Sequence, residues 1–197
     1  LRLGIPRKPF FDSLDSEVEK SVNAAIEVLR KMTASMADVQ FPTSTVQSQI
    51  LGPEAYAYHS KWITESPELY QPQTRAILQR SADTKAGAYA AALHELAIER
   101  REIASFFANI DLLITPTMPN AAAAIEESAQ RNTASVRNTS PFDVFGLPAI
   151  SVPCGFSSAG LPIGLQIAGA PFAEATVLAL AHAYQQATDW GTRRPAL

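Results

Sequence analysis

The chain has 197 residues, 47% of them hydrophobic, with 16 basic against 19 acidic side chains and a formal net charge of −3. That balance predicts one globular segment spanning residues 1–197 and excludes the cationic stripe that phosphate backbones attract, so nucleic acid is not an expected partner. No apolar run approaches the roughly 20 residues of a membrane span, and the single cysteine, Cys154, forbids an internal disulfide, which makes a soluble, cytoplasmic protein with no membrane partner the expectation.

The opening LRLGIPRKPF is too proline-rich for a signal peptide; Leu1 to Pro6 alternates as a strand entered partway. Ser16-x-x-Glu19 has the form of a capping box, and Val18, Val22, Ala25, Ile26, Leu29 and Met32 follow at helical spacing, predicting an amphipathic helix to about Met32. ADVQFP, 37–42, reads as a short strand. A second helix is expected from about Val46 to Trp62, weakened in its first turn by Gly52-Pro53, and a shorter third one begins near Gln73. Lys85 to Ala108 lacks proline and spaces Leu93, Leu96, Ala97, Ile103, Phe106 and Phe107 among charges, the pattern of a long helix half in a core.

IDLLITPTMP is a continuous apolar run closed by prolines, as a fully buried strand requires. Residues 120–136 are alanine-rich and weakly periodic, and are expected to form a surface loop. Ala149 to Phe156 and Leu161 to Ala168 are strand-like around the turn Ser157-Ser158-Ala159-Gly160, a β-hairpin. ATVLALAHAYQQAT supplies the final helix, with Glu174 at its start, where the helix dipole favours a carboxylate. The order strand, helices, strands, helix predicts a mixed α/β fold, with the run from Asp111 and the hairpin central or near-central.

Chemistry is scarce. GFSSAG imitates a nucleophile elbow, but its second glycine comes one place late and a strand follows where a helix is needed, so Ser157 and Ser158 read as turn residues. Cys154 sits inside a strand with no local cation and reads as a small buried hydrophobe. His59, His94 and His182 have no His or Cys partner at helical spacing, so neither a metal nor another cofactor is expected. Asn138-Thr139-Ser140 matches a glycosylation acceptor in form, and reads better as a helix cap.

The strings LRLGIPR, FFDSLDSEV, TRAILQR, DLLITPTMP, RNTSPFDVFGLPAISVPCGF, GLPIGLQIAGAPFAEATVLALAHAYQQATDW and RRPAL together resemble the C-terminal half of the amidase signature family. That resemblance implies a mixed central sheet flanked by helices and an activity of carboxylic amide hydrolysis, through a serine nucleophile, a second serine in a cis peptide and a lysine base. In the family those three groups lie in the N-terminal half. Here no GGSSGG-like run exists, and Lys8, Lys20, Lys31, Lys61 and Lys85 fall in polar settings, so no catalytic residue is expected in this chain.

What the resemblance carries over is the substrate side. It implies that Arg137 and Asn138 offer hydrogen bonds to an amide or carboxylate at a concave surface, that Phe142 forms an apolar wall and that Arg75 places a charge near the cleft mouth. The A subunits of glutamyl-tRNA amidotransferases carry an acidic residue in the neighbourhood that here reads Ala134-Ser135-Val136-Arg137-Asn138, without a carboxylate, so a general amidase is favoured over glutamine amidotransfer. The expected partners are a small amide and the missing N-terminal half, with self-association of the isolated chain. The contrasting reading is a stand-alone, non-catalytic remnant of the same fold.

Overall fold

The computed structural model describes residues 1–125 and 136–193. These form two compact units, Leu1–Pro42 with Ile103–Leu197, and Thr43–Glu102. Most of the segment expected as a surface loop, 126–135 of 120–136, lies outside the described residues.

The first unit is built on a five-stranded mixed sheet in the order β2-β1-β3-β5-β4. β1 (Arg2–Pro6) pairs in parallel with β2 (Ser35–Val39) and β3 (Leu112–Pro116), while β5 (Pro162–Gly169) runs antiparallel to both β3 and β4 (Ala149–Phe156). The sheet is therefore mixed, as the family resemblance implied, and β3 is its central strand. β4, expected near the centre, lies at an edge of the described sheet. Strand β2 sits two residues earlier than ADVQFP suggested, because its pairing runs Arg2 to Ser35 through Pro6 to Val39, and Phe41 is left to pack elsewhere.

One face of the sheet is covered by α1 (Ser16–Arg30) and α6 (Glu174–Gln186). Val18, Val22, Ala25, Ile26 and Leu29 of α1 and Val177, Leu180, Ala181 and Tyr184 of α6 meet Leu3, Ile5, Leu112, Ile114, Leu165 and Ile167. This is the 3.6-residue stripe of α1 turned onto the period-two stripe of the strands. Helix α1 is capped by Asp15, whose Oδ1 accepts from Glu17 N at 2.8 Å, so Ser16 is the first helical residue and not the cap its capping-box spacing suggested. The other face holds an aromatic cluster in which Phe10, Phe41, Phe142, Phe145, Ile103 and Phe107 pack on Leu113 and Ala168.

The hairpin turns through Ser157 to Gly160, as its turn residues predict. Ser157 N donates to Leu161 O at 2.8 Å, Ser157 Oγ accepts from Leu161 N at 3.1 Å, and Gly160 takes the left-handed conformation at φ +77°. Ser158 N donates to Glu17 Oε1 at 2.7 Å, which fastens the turn to the first turn of α1.

The second unit is helical: α2 (Gln47–Glu65), a 3-10 turn Pro67–Leu69, α3 (Pro72–Gln79) and most of α4 (Ala86–Phe106). His59 Nδ1 shares a hydrogen bond with Tyr70 Oη at 2.9 Å, and Tyr89 Oη donates to Glu54 Oε1 at 2.7 Å. Among the described residues, no helix is long and apolar enough to cross a membrane.

Candidate functional site

The polar groups of the first unit converge where β3 ends. Its register is set at the opposite end by Asp111, whose Oδ2 accepts from Arg2 N at 2.6 Å and whose Oδ1 accepts from Arg2 Nη2 at 2.7 Å. Those hydrogen bonds, first that of the Arg2 side chain, hold the Asp111 carboxyl below its ordinary pKa. At the far end, Asn138 is wholly buried. Its Nδ2 donates to Phe10 O and to Pro116 O, both at 2.9 Å, and its Oδ1 accepts from Arg137 Nε at 3.2 Å. Gln166 Nε2, on β5, donates to Asn138 O at 2.8 Å and to Thr115 Oγ1 at 2.9 Å. Buried amides demand partners, and this network supplies them by joining the loop after β1, the end of β3, β5 and the segment entering α5 (Ser140–Phe145).

Arg137 lies at the edge of this network. Its Nη2 donates to Asp12 O at 2.6 Å, and Nη1 has no partner among the described residues. One residue past β3, Thr117 Oγ1 shares a hydrogen bond of 2.7 Å with Ser151 Oγ of β4, and Thr117 N donates to Gly164 O at 3.0 Å. A Cβ at Gly164 would stand 2.6 Å from Ser151 Oγ and 2.8 Å from Thr117 Oγ1, so glycine there is what allows the two hydroxyls to meet. Ser151 is exposed and Thr117 half-buried. Neither hydroxyl has a base hydrogen-bonded to it among the described residues, so the pair can orient a polar ligand and has no means of activation as a nucleophile there.

The four residues nominated from the sequence separate in the structure. Asn138 does not cap α5, whose N-cap is Thr139; both of its amide hydrogens are spent on main-chain carbonyls, and none is left for a ligand. Phe142 is buried among aromatic rings, with centroids 5.5 Å from both Phe10 and Phe41, and forms the packed support beneath the segment, not an open wall. Arg137 keeps a donor to spare. Arg75 belongs to the second unit, where its Nη1 donates to Pro67 O at 3.4 Å. Sequence reading passed over Thr115, Thr117, Ser151 and Gln166. The available signal was the pair of threonines in TPT and a glutamine standing among the apolar residues of β5.

Among the described residues, no group of three or more His, Cys, Asp or Glu is placed to hold a metal ion. Fold and site thus define an α/β protein with a buried amide network at the end of its central strand, a Thr117–Ser151 hydroxyl pair one residue past that strand and the Arg137 guanidinium at the edge of the network. Comparison with known proteins supplies the family. The chain belongs to the amidase family, whose profile matches residues 1–178. It is 37% identical over 210 residues to an amidase of Pseudomonas putida, covering all of this chain and 45% of that protein. It is 34% identical over 227 residues to the A subunit of the glutamyl-tRNA(Gln) amidotransferase of Chloroflexus aggregans, covering all of this chain and 46% of that protein. A crystal structure of an amidase superposes with a TM-score of 0.82 at 26% identity over 94% of this chain and 45% of that one. The chain therefore spans about half the length of the curated relatives it matches.

Proposed function

We propose that this chain is the substrate-side part of a cytoplasmic amide hydrolase, completing a larger sheet and lining the cleft, while the nucleophile and base come from sequence outside these 197 residues. The observation that carries the reading is the coverage: the whole chain aligns with 45% of an amidase, and the polar groups it contributes have no activating base hydrogen-bonded to them among the described residues. In this reading Arg137 Nη1, Thr117 and Ser151 meet the amide or carboxylate of the substrate. Asn138 Oδ1, accepting from Arg137 Nε, steadies that guanidinium.

Similarity to the A chain of an amidotransferase supports a second reading, transfer of ammonia released from glutamine. The stretch 134–138 argues against it, because it offers no carboxylate to hold a substrate amino group. A stand-alone binding role is the remaining contrast, and one assay separates the three. The chain alone, the N-terminal part of the Pseudomonas putida relative alone, and a fusion of the two are assayed for turnover of an aryl amide and of glutamine, and for labelling by a fluorophosphonate. The expected result is background turnover and no labelling for the chain alone, with aryl amide hydrolysis by the fusion. Turnover or labelling by the chain alone, or a well-folded fusion inert toward both substrates, overturns the hydrolase reading; turnover of glutamine only favours the amidotransferase.

A further inference from the structure

Helices α1 and α6 share one face of the sheet, yet they are built differently. The side of α1 turned away from the sheet carries Glu19, Lys20, Asn23, Glu27 and Arg30, as a solvated helix requires. Helix α6 has neither lysine nor arginine, and its one carboxylate, Glu174, stands in the first turn. Opposite the buried Val177, Leu180, Ala181 and Tyr184 it presents exposed Ala175, Leu178, Ala179 and His182, with Leu178 56% exposed. A helix that is apolar all round belongs in an interior, and α6 has an interior on one side only.

The residues leading into α6 carry the same signature more strongly. Phe172, two residues before the helix, holds φ at +63° and leaves its side chain 94% exposed. Left-handed backbone costs a residue with a side chain about 1–2 kcal/mol, and a bulky ring there is an outlier. Solvent returns nothing for that strain, whereas burying a phenyl ring against a partner contributes about 1.5–3 kcal/mol. The balance is favourable only when something covers the ring.

The length of the relatives indicates the occupant, because they are about twice as long as this chain. β4 is an edge of the described sheet, and α6 lies over β4 and β5. Strands that extend a sheet past an edge also extend its apolar face, and helices must cover that face in the layer to which α6 belongs. Neighbouring helices pack about 8–10 Å apart, the distance being set by the side chains between them. Ala175 and Ala179, one turn apart beside Leu178, permit a close approach. A lipid surface would call for lysine or arginine on this helix, and α6 has none. We propose that the outer face of α6, with Phe172 as its anchor, is the docking surface for an apolar helix of the other half of the enzyme; this rests on the reading of the chain as one part of a larger protein.

The test places Phe172→Cys and Leu178→Cys, singly, in the 197-residue chain and in its fusion to the N-terminal part of the Pseudomonas putida relative, and follows labelling by a maleimide under native conditions. Cys154 is buried and sets only a slow background. Both introduced thiols are expected to react freely in the dilute chain and about tenfold or more slowly in the fusion. Phe172→Gly relieves the backbone and removes the ring, so the melting temperature of the chain alone should hold or rise while that of the fusion falls by roughly 2 °C or more. A side chain that served only the isolated chain would lower both. Equal labelling in chain and fusion, protection that appears in the chain alone as its concentration rises, or a parallel fall in both melting temperatures overturns the proposal. Aryl amide turnover by a fusion whose thiols stay unprotected sinks this inference and spares the hydrolase reading. Protection in a fusion that turns over neither substrate does the reverse.

Discussion

Asn138 shows how a residue can matter to a site without touching a ligand. Its amide closes two buried carbonyls, Phe10 O and Pro116 O, and its carbonyl oxygen steadies Arg137. Asn138→Ala is expected to cost about 2–4 kcal/mol in urea unfolding, since it strands two buried acceptors, and Asn138→Asp to cost more, because it points acceptors at acceptors. A loss under about 1 kcal/mol would show that water replaces the amide. Cys154 makes a prediction in pH. Burial raises its thiol to about 12, so the folded state keeps the proton that an unfolded cysteine gives up near pH 8.5. Its contribution is therefore complete below about pH 8.5 and is lost as the pH rises toward 12, at up to about 1.4 kcal/mol per pH unit. Tyr184, raised in the same direction chiefly by burial, adds the same sign above about pH 10. Urea midpoints between about pH 9 and 10 should fall for the wild type and stay flatter for Cys154→Ala.

At the scale of elements, local chemistry and tertiary choice can be told apart. The hairpin was legible because its turn residues and alternation are local, and α1 because five apolar side chains recur on one stripe. The short helix Ser140–Phe145 was visible only as a cap without a body, since six residues cannot display a helical period. Which side chains of RNTSPFD are used internally depends on where Phe10 and Pro116 arrive, and no spacing within the segment reports that. The docking of α1 on β4 is of the same kind. A Cβ at Gly155 would stand 2.6 Å from Ser21 Oγ and 2.8 Å from Ser21 Cβ, so the helix approaches the strand as closely as glycine permits. Gly155→Ala is expected to cost about 1–3 kcal/mol by pushing α1 off the sheet. Adding Ser21→Gly should recover part of that loss even though glycine weakens the helix by about 1 kcal/mol. Thermal melts of the single and double variants measure the coupling; additive losses would mean that the strand yields instead.

For the whole molecule, the consequence lies at the sheet edges. β2 and β4 bound the described sheet, and β4 presents exposed Ala149 and Ser151 and half-buried Pro153 on the side away from Val152 and Cys154. Pro153 has no N–H to offer and suits an edge, which leaves Ala149 to Val152 as the part able to template another strand. The relatives are about twice as long as this chain, so in the proposed hydrolase this edge receives strands from the other half. Without them, two copies of the chain are expected to pair edge to edge. Sedimentation velocity over a roughly hundredfold concentration range should then show a concentration-dependent rise above the monomer. Ala149→Lys, which sets a charge on an exposed edge position, should shift that rise to higher concentration without changing the melting temperature of the dilute protein. In the fusion with the N-terminal half of the relative, the association should vanish and the lysine should impair hydrolysis, because the same edge is then occupied from within. A chain that stays monomeric throughout, or a lysine that alters neither association nor the fusion's activity, would place the junction between the halves at some surface other than β4.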